Sequence, residues 1–126
     1  MTQKLRGILI DPIREVIEEV VLDKKDLFEQ LYVLCRCDII QCVTRHSLDR
    51  PLYMFFDEEG AYKDFAEAKG FALLNDESGI NYEMFHGTTV LLGPPDKKSN
   101  TLGAPEWCTV ESITPLIVWP EDEEER

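Results

Sequence analysis

The stretch DKKDLFEQLYVLC, residues 23–35, decides the predicted fold because it carries the clearest helical pattern in this chain of 126 residues. Asp23 is a suitable N-cap, and Asp26 lies near the positive end of the helix. Apolar side chains recur at helical spacing, at Leu27, Phe28, Leu31, Leu34 and Cys35. The pattern predicts one amphipathic helix over residues 24–35, whose apolar side has to be covered by another layer of the fold.

β-Branched and aromatic residues on both sides of this helix predict a sheet that covers it. Residues 5–10 form a short strand that ends at Asp11-Pro12, where proline cannot donate to a strand ladder. Residues 38–45 and 52–56 predict a pair of strands joined by a polar turn, and residues 88–92 predict another strand. The predicted fold class is therefore α+β, a mostly antiparallel sheet with one main helix packed on one face and a second short helix.

Residues 13–22 fit two structures. The apolar residues from Ile13 to Val21 follow helical spacing, and Asp11 and Pro12 suit the N-cap and the first helical position. The density of β-branched residues favours a strand instead, and the alternating series from Val16 to Leu22 is mostly apolar. Helix and strand both remain open on the residues alone.

Two middle segments carry weaker patterns. Residues 61–74 show apolar residues at helix-like spacing, which predicts a short or interrupted helix with a break at Gly70. Residues 93–106 are rich in Pro, Gly, Lys, Ser and Asn, so we expect an exposed loop that tolerates insertions.

The C-terminal part divides into a folded piece and a tail. Residues 107–119 predict two short β-like pieces split by Pro115. Residues 120–126 are mostly acidic and predict a solvated, disordered tail. One domain over residues 1–119 is expected, because this length allows a sizeable core without disulfides or a metal.

The charge balance narrows the classes of partner. Thirteen Lys and Arg against 25 Asp and Glu give a net charge of -12, which opposes direct binding to nucleic acid or to anionic lipid. The apolar run at residues 7–10 is too short for a signal peptide or a membrane span, so a cytoplasmic protein is expected. In that compartment the four cysteines are expected to be reduced, small core residues.

Several motifs together resemble a family of small, uncharacterised domains of bacteria, phages and mobile elements. They are GILIDP at 7–12, EEV at 18–20, Y-x-x-x-DEEG at 53–60 and GTTVLLG at 87–93. The resemblance covers roughly residues 5–95, and the segment from Trp107 onward departs from the family pattern. In that family the chain after the Asp-Pro turn forms a second antiparallel strand, so the resemblance implies a hairpin rather than a helix over residues 13–22. It implies no activity and no catalytic residues.

A metal site has weak support in the sequence. Cys35, Cys37, Cys42 and His46 are ligand types found in zinc sites, but one residue between the first two is tighter than the usual spacing. Along a strand over residues 37–46, alternation places Cys37 on one face and Cys42 with His46 on the other. The sequence therefore predicts no metal and no cofactor.

Enzymatic chemistry has equally limited support. A thiol nucleophile would need Cys108 beside His46 or His86, yet Cys108 follows Trp107 in a pattern typical of packing. Consecutive carboxylates in the DEEG turn usually face water, and the GTT sequence at 87–89 lacks the lysine and further glycine of a phosphate-binding loop.

We therefore expect a non-enzymatic binding or accessory protein that acts through a protein surface. The candidate contacts are the acidic turn, the loop over residues 93–106, and aromatic or basic residues that could be exposed. By number the candidate site residues are Tyr53, Asp57, Glu58, Glu59, Tyr62, Arg45, His86 and Trp107.

Three alternatives differ in what they require. An acidic mimic of DNA would occupy a basic nucleic-acid-binding protein, since opposite charges steer association. A ligand-binding anti-defence protein would need a pocket where Arg45, Lys63 or His86 converge. A small thiol or metal-dependent hydrolase would need a nucleophile and a base in one cleft. Edge strands of a small open sheet also make a homodimer plausible.

Overall fold

The computed structural model describes residues 4–37, 39–47, 50–57, 70–74, 82–93 and 102–119. Within these ranges the chain forms eight β-strands and two α-helices. In chain order they are β1 (Lys4–Asp11), β2 (Val16–Asp23), α1 (Leu27–Cys35), β3 (Ile40–Ser47), β4 (Arg50–Asp57), β5 (Gly70–Leu74), β6 (Tyr82–His86), β7 (Thr89–Leu92), α2 (Val110–Ile113) and β8 (Ile117–Val118). None of these helices is long and apolar enough to cross a membrane.

The strands form two antiparallel sheets. Five strands pair in the order β2-β1-β7-β4-β3, and three pair in the order β6-β5-β8. The predicted mostly antiparallel architecture is confirmed, with one main helix and one short helix. The strands outnumber the helices, and they are divided between two sheets. The reason lies in the central strands, which are apolar on both faces and need a layer on each side.

Alternation along β1 and β4 sorts the apolar side chains into two cores. Leu5, Leu9 and Phe55 face α1, where they pack with Leu27 and Leu31. On the other face a second core joins the two sheets and the C-terminal segment; it includes Ile8, Ile10, Leu52, Met54, Leu91, Phe71, Phe85, Cys108, Ile113 and Leu116. The predicted helix on one sheet face is therefore present, and the second sheet covers the opposite face.

The β1–β2 hairpin settles the segment that the residues left open. Asp11 pairs with Val16 and Lys4 with Asp23, so the strand implied by the family resemblance is confirmed and the helical spacing is misleading. The buried Asp11 carboxylate fixes the turn by accepting hydrogen bonds from the backbone N–H groups of Ile13 and Arg14, at 3.0 and 3.3 Å. These bonds hold the turn in place of a helical start.

The main helix begins later than its sequence pattern predicts. Asp26 is the N-cap of α1, and Asp23 belongs to β2, so the predicted capping role of Asp23 is wrong. The helix ends at Arg36, which takes the left-handed conformation with φ of 53°. Its buried side carries Leu27, Leu31 and Cys35.

The predicted helix over residues 61–74 is wrong at its end, because Gly70–Leu74 is β5. Residues 58–69 lie outside the described part of the chain. Gly70 pairs with His86, and a Cβ atom there would lie 2.9 Å from the Phe85 carbonyl oxygen. Residues 70–74 therefore pair closely with β6 as a strand, although their apolar residues are spaced as in a helix.

Residues 102–119 also differ from expectation. Gly93 is buried, its N–H donates to the Leu102 carbonyl at 3.1 Å, and a Cβ atom on it would lie 2.5 Å from the Gly103 oxygen. The described ends of the predicted exposed loop are thus packed on the sheet, while residues 94–101 lie outside the description. The first predicted β-like piece is α2 instead, started by a reciprocal Thr109–Ser112 capping box. The second is β8, and the predicted tail over 120–126 lies outside the described residues.

Candidate functional site

The outer edge of β2 offers backbone groups to a partner. In an antiparallel edge strand, alternate residues point both N–H and C=O away from the neighbouring strand. Asp23 marks this outward set, because its N–H donates to Gln30 Oε1 at 3.0 Å and its carbonyl accepts from Gln30 Nε2 at 2.8 Å. By alternation Ile17, Glu19 and Val21 face outward as well; we call these three residues the open edge.

Strand β1 gives independent support for this assignment. Arg6 pairs with Val21, and the Arg6 carbonyl accepts a hydrogen bond from the Ala104 N–H at 2.6 Å, on the side away from β2. Arg6 and Val21 therefore do not exchange backbone bonds with each other, so the backbone groups of Val21 point outward. Since β2 is the last strand of its sheet, no strand of the described chain pairs with the open edge.

Helix α1 exposes Val33 on the side that faces β2, and it exposes Phe28 on the other flank, where the Phe28 ring contacts Phe55 of β4. Phe28 is 53% exposed and Val33 76% exposed, and Val21 on the strand is 63% exposed. A groove of about 620 Å³ separates helix and strand; residues 20–23 of β2 line one side, and Asp26, Glu29, Gln30, Val33 and Leu34 line the other. We call it the α1–β2 groove. Exposed apolar side chains around a groove are typical of interaction surfaces.

The electrostatic character of this region is acidic. Asp23, Asp26 and Glu29 line the α1–β2 groove. Glu18 and Glu19 lie in the middle of β2 and point to opposite faces of the sheet. Lys4 forms an ion pair with Asp23. The surface is therefore suited to a partner that combines apolar and basic side chains.

A second cavity, of about 550 Å³, lies on the other face of β1 and β2. Arg6, Glu19, Glu106, Thr109 and Glu111 contribute to its lining. The Arg6 guanidinium donates to the carbonyl oxygens of Cys108, Ala104 and Pro105, at 2.8, 3.1 and 2.6 Å. Arg6 therefore serves as a clamp that holds residues 104–108 against β1, and its hydrogen bonds are used within the fold.

The predicted site residues do not converge. Tyr53 is half-buried on the α1 side of β4, with its ring centroid 6.4 Å from that of Phe55. Asp57 is only 5% exposed, so its carboxylate is not accessible to a large partner. Trp107 packs against the core on the opposite face of the sheet.

The remaining predicted residues are distributed elsewhere. His86 is half-buried on β6, opposite Gly70, in the three-stranded sheet. Arg45 lies on β3 opposite Leu52, and the structure describes its backbone alone. Glu58, Glu59, Tyr62 and Lys63 lie outside the described residues.

The thiols are poorly suited to nucleophilic chemistry near neutral pH. Burial, with smaller contributions from the nearby Cys37 and Asp57, raises the pKa of Cys35 to about 12. Burial raises the pKa of Cys108 to about 11, although Arg6 lowers it somewhat. Since the thiolate is the reactive form, both groups are held in the unreactive thiol form. Among the described residues, no three His, Cys, Asp or Glu side chains come close enough to hold a metal ion.

Comparison with known protein families shows which family the chain belongs to. The model of the family described as a domain of unknown function (DUF3846) matches residues 5–114. The chain belongs to this family. The match continues past Trp107, so the departure expected there is wrong for residues 107–114. No curated protein and no solved structure matches the chain significantly.

Sequence reasoning missed the residues that form the groove. Val33 lies off the buried stripe of Leu27, Leu31 and Cys35. An apolar residue outside the buried stripe of a predicted helix indicates an exposed apolar side chain, and this signal was present in the sequence. Val21 could be placed on an edge only once the strand order was known. For Gln30 the sequence carries no signal, because its bonds to Asp23 depend on the angle between α1 and β2.

Proposed function

We propose that the protein is a non-enzymatic binding or accessory protein that recognises a protein partner through the α1–β2 groove and the exposed side of α1. The observation that carries this proposal is the exposure of Val33 in this groove, of Phe28 on the flank of α1 that faces β4, and of Val21 at the neighbouring edge of β2. Large apolar side chains cost free energy when they face water, and a partner that covers them recovers about 25 cal/mol for each Å² buried.

The acidic lining of the groove supports a basic partner. Asp26 and Glu29 flank the apolar side chains, in a chain with a net charge of -12. We therefore propose a basic nucleic-acid-binding protein as the partner, because its positive charge complements the acidic groove. The motif resemblance supports a phage or mobile-element setting, and we propose that the protein acts in the cytoplasm. The raised pKa values of Cys35 and Cys108 favour this proposal over a thiol hydrolase.

A pair of matched valine variants tests the surface. Val33 on α1 and Val118 on β8 are both exposed, at 76% and 48%, but only Val33 lines the α1–β2 groove. The tagged wild-type chain, Val33→Ser and Val118→Ser would each capture proteins from a lysate of the source organism at low salt. Quantitative mass spectrometry would compare the captured proteins, after thermal unfolding has shown that both variants fold.

We expect one partner to be retained by wild type and Val118→Ser and to be reduced about tenfold by Val33→Ser, since burying an exposed apolar side chain is worth roughly 1.5 kcal/mol. The double variant Phe28→Ser with Val33→Ser should capture still less of this partner than Val33→Ser does. Equal capture by all variants would contradict a role for the groove. Selective loss with Val118→Ser would move the binding surface to the three-stranded sheet.

A further inference from the structure

We infer that the partner binds by adding a strand to the open edge of β2, and that the added strand is an extended segment carrying basic side chains. This inference rests on the proposed function and specifies its partner and its geometry. The outward N–H and C=O groups of Ile17, Glu19 and Val21 supply the backbone hydrogen bonds.

The edge already makes such a pairing at one position. The Gln30 carboxamide donates to and accepts from Asp23, as the peptide group of an added strand would, and it closes the edge there. The hairpin turn held by Asp11 limits the other end. Outward groups between these limits repeat every second residue, about 6.8 Å apart, which is the repeat that an extended segment presents. A segment of about seven residues therefore fits the open length.

Charge separates this occupant from a second copy of the chain. When the outward residues of two β2 strands pair antiparallel, the register that uses all three places Ile17 opposite Val21 and Glu19 opposite Glu19 of the other copy. Like charges directly opposite each other are destabilising, and each copy carries a net charge of -12. A basic segment reverses both effects.

The side chains at the centre of β2 can receive two cations on opposite faces. Glu19 is 53% exposed at its side chain, and its 3.6 Å contact with the Arg6 Nε is longer than a hydrogen bond. Glu18 is 44% exposed and bonds Arg14 Nη2 at 3.3 Å. Adjacent Lys or Arg residues in the added strand would face Glu18 and Glu19 in turn, and apolar residues would contact Val21 and Val33.

A synthetic peptide provides the direct test on the full chain. The probe is the acetylated, amidated peptide VTKKVTV; the controls are VTEEVTV and two forms of VTKKVTV that are N-methylated on one or the other alternate set of residues. Calorimetry measures affinity, and amide hydrogen exchange followed by NMR locates the contact. N-methylation removes backbone donors without changing the peptide's charge.

We expect VTKKVTV to bind and to slow exchange about tenfold or more at Ile17, Glu19 and Val21, because exchange requires those bonds to open. One N-methylated form should lose binding and the other should retain it, since only one set of N–H groups faces β2. Val21→Pro should weaken binding by about tenfold, while Val21→Ala, which keeps the N–H, should weaken it less. The N-methyl comparison uses wild-type protein, so it holds even where Val21→Pro fails to fold.

Other outcomes overturn the inference. No binding of VTKKVTV, equal binding of both N-methylated forms, or equal binding of VTEEVTV would each contradict it. Protection of the same three amides by dimerisation, seen by sedimentation without peptide, would make the occupant a second copy. If the cellular partner is lost with Val33→Ser but kept with Val21→Pro, strand addition is wrong while the proposed binding function stands.

Discussion

On β1, the carbonyl of Arg6 accepts a hydrogen bond from Ala104, and its side chain clamps residues 104–108. On β2, the outward groups of Val21, the residue paired with Arg6, meet no other strand among the residues described. Within the described ranges, distant chain thus covers one strand of the hairpin, and the other strand is closed only at its ends. The difference separates the two carboxylate-lined cavities: the one at Arg6 is tied into the fold by the hydrogen bonds of Arg6, and the α1–β2 groove is the one that we propose for recognition.

Removing the clamp gives the largest expected effect. Arg6→Ala deprives three carbonyl oxygens of their charged donor, and we expect the free energy of unfolding to fall by about 3 kcal/mol. Urea denaturation measures this change. Arg14→Ala is the control, because Arg14 is 54% exposed and pairs with Asp11 and Glu18 at the hairpin turn. A loss no larger than that of Arg14→Ala would contradict the structural role of Arg6.

The turn that closes one end of the open edge should respond to pH. Burial by itself raises the pKa of Asp11, but hydrogen bonds from Arg14 and Ile13 lower it below its usual value of 3.8. Asp11→Asn should lower the free energy of unfolding by about 1.5 kcal/mol at neutral pH. Most of this loss comes from the hydrogen bonds, because Arg14 is half-exposed and its ion pair with Asp11 is screened by water.

The sign of the pH dependence follows from the lowered pKa. The stabilisation by the Asp11 carboxylate is fully present above the unfolded value and is lost as pH falls through the lower folded value. The difference in unfolding free energy between wild type and Asp11→Asn should therefore be constant from about pH 5 upward and shrink in acid below about pH 4. A difference that grows in acid would contradict this assignment.

The other end of the open edge gives a smaller effect. Gln30→Ala removes both bonds to the Asp23 backbone and one to the Asp26 carbonyl, so we expect a loss of about 1 kcal/mol. Hydrogen exchange at the Asp23 amide should become faster, which would lengthen the open edge. Glu29→Ala, on an exposed position of the same helix, should leave Asp23 unchanged. Unchanged exchange in Gln30→Ala would show that Gln30 does not close the edge.

The smallest expected effect concerns β3, the other edge strand of the five-stranded sheet, and thiol labelling measures it. Cys42 on β3 is exposed, yet desolvation of its sulfur raises its pKa to about 11. With Ellman's reagent at pH 8 it should react before Cys35 and Cys108, but roughly a hundredfold more slowly than an ordinary cysteine, in line with its smaller thiolate fraction. Reaction of Cys108 first in the folded protein would contradict the packing described around it.

Much of the fold could be predicted from local patterns. The stripe of Leu27, Leu31 and Cys35 identified α1, and β-branched and aromatic runs identified the β3–β4 pair. Residues 13–22 show the limit, because the spacing of their apolar residues favours a helix while their β-branched density favours a strand. The family resemblance decided between the two correctly, through the turn at Asp11-Pro12.

The division into two sheets and the candidate surface could not be predicted in the same way. The apolar run at residues 52–56 indicates that β4 is covered on both faces, but no local pattern shows that a second sheet forms one of the two covers. The open edge likewise depends on strand order, since Val21 would be paired on both sides in a central strand. The candidate residues chosen for their chemistry, such as Tyr53 and Trp107, were placed in cores because their apolar surface outweighs their polar atoms.

Amide hydrogen exchange in the free protein tests the open edge most directly. We predict that the amides of Ile17, Glu19 and Val21 exchange about a hundredfold faster than those of Glu18, Val20 and Leu22, which bond to β1. Equal protection of the two sets would show that another part of the chain or a second copy already occupies the edge, and would contradict the account given for β2.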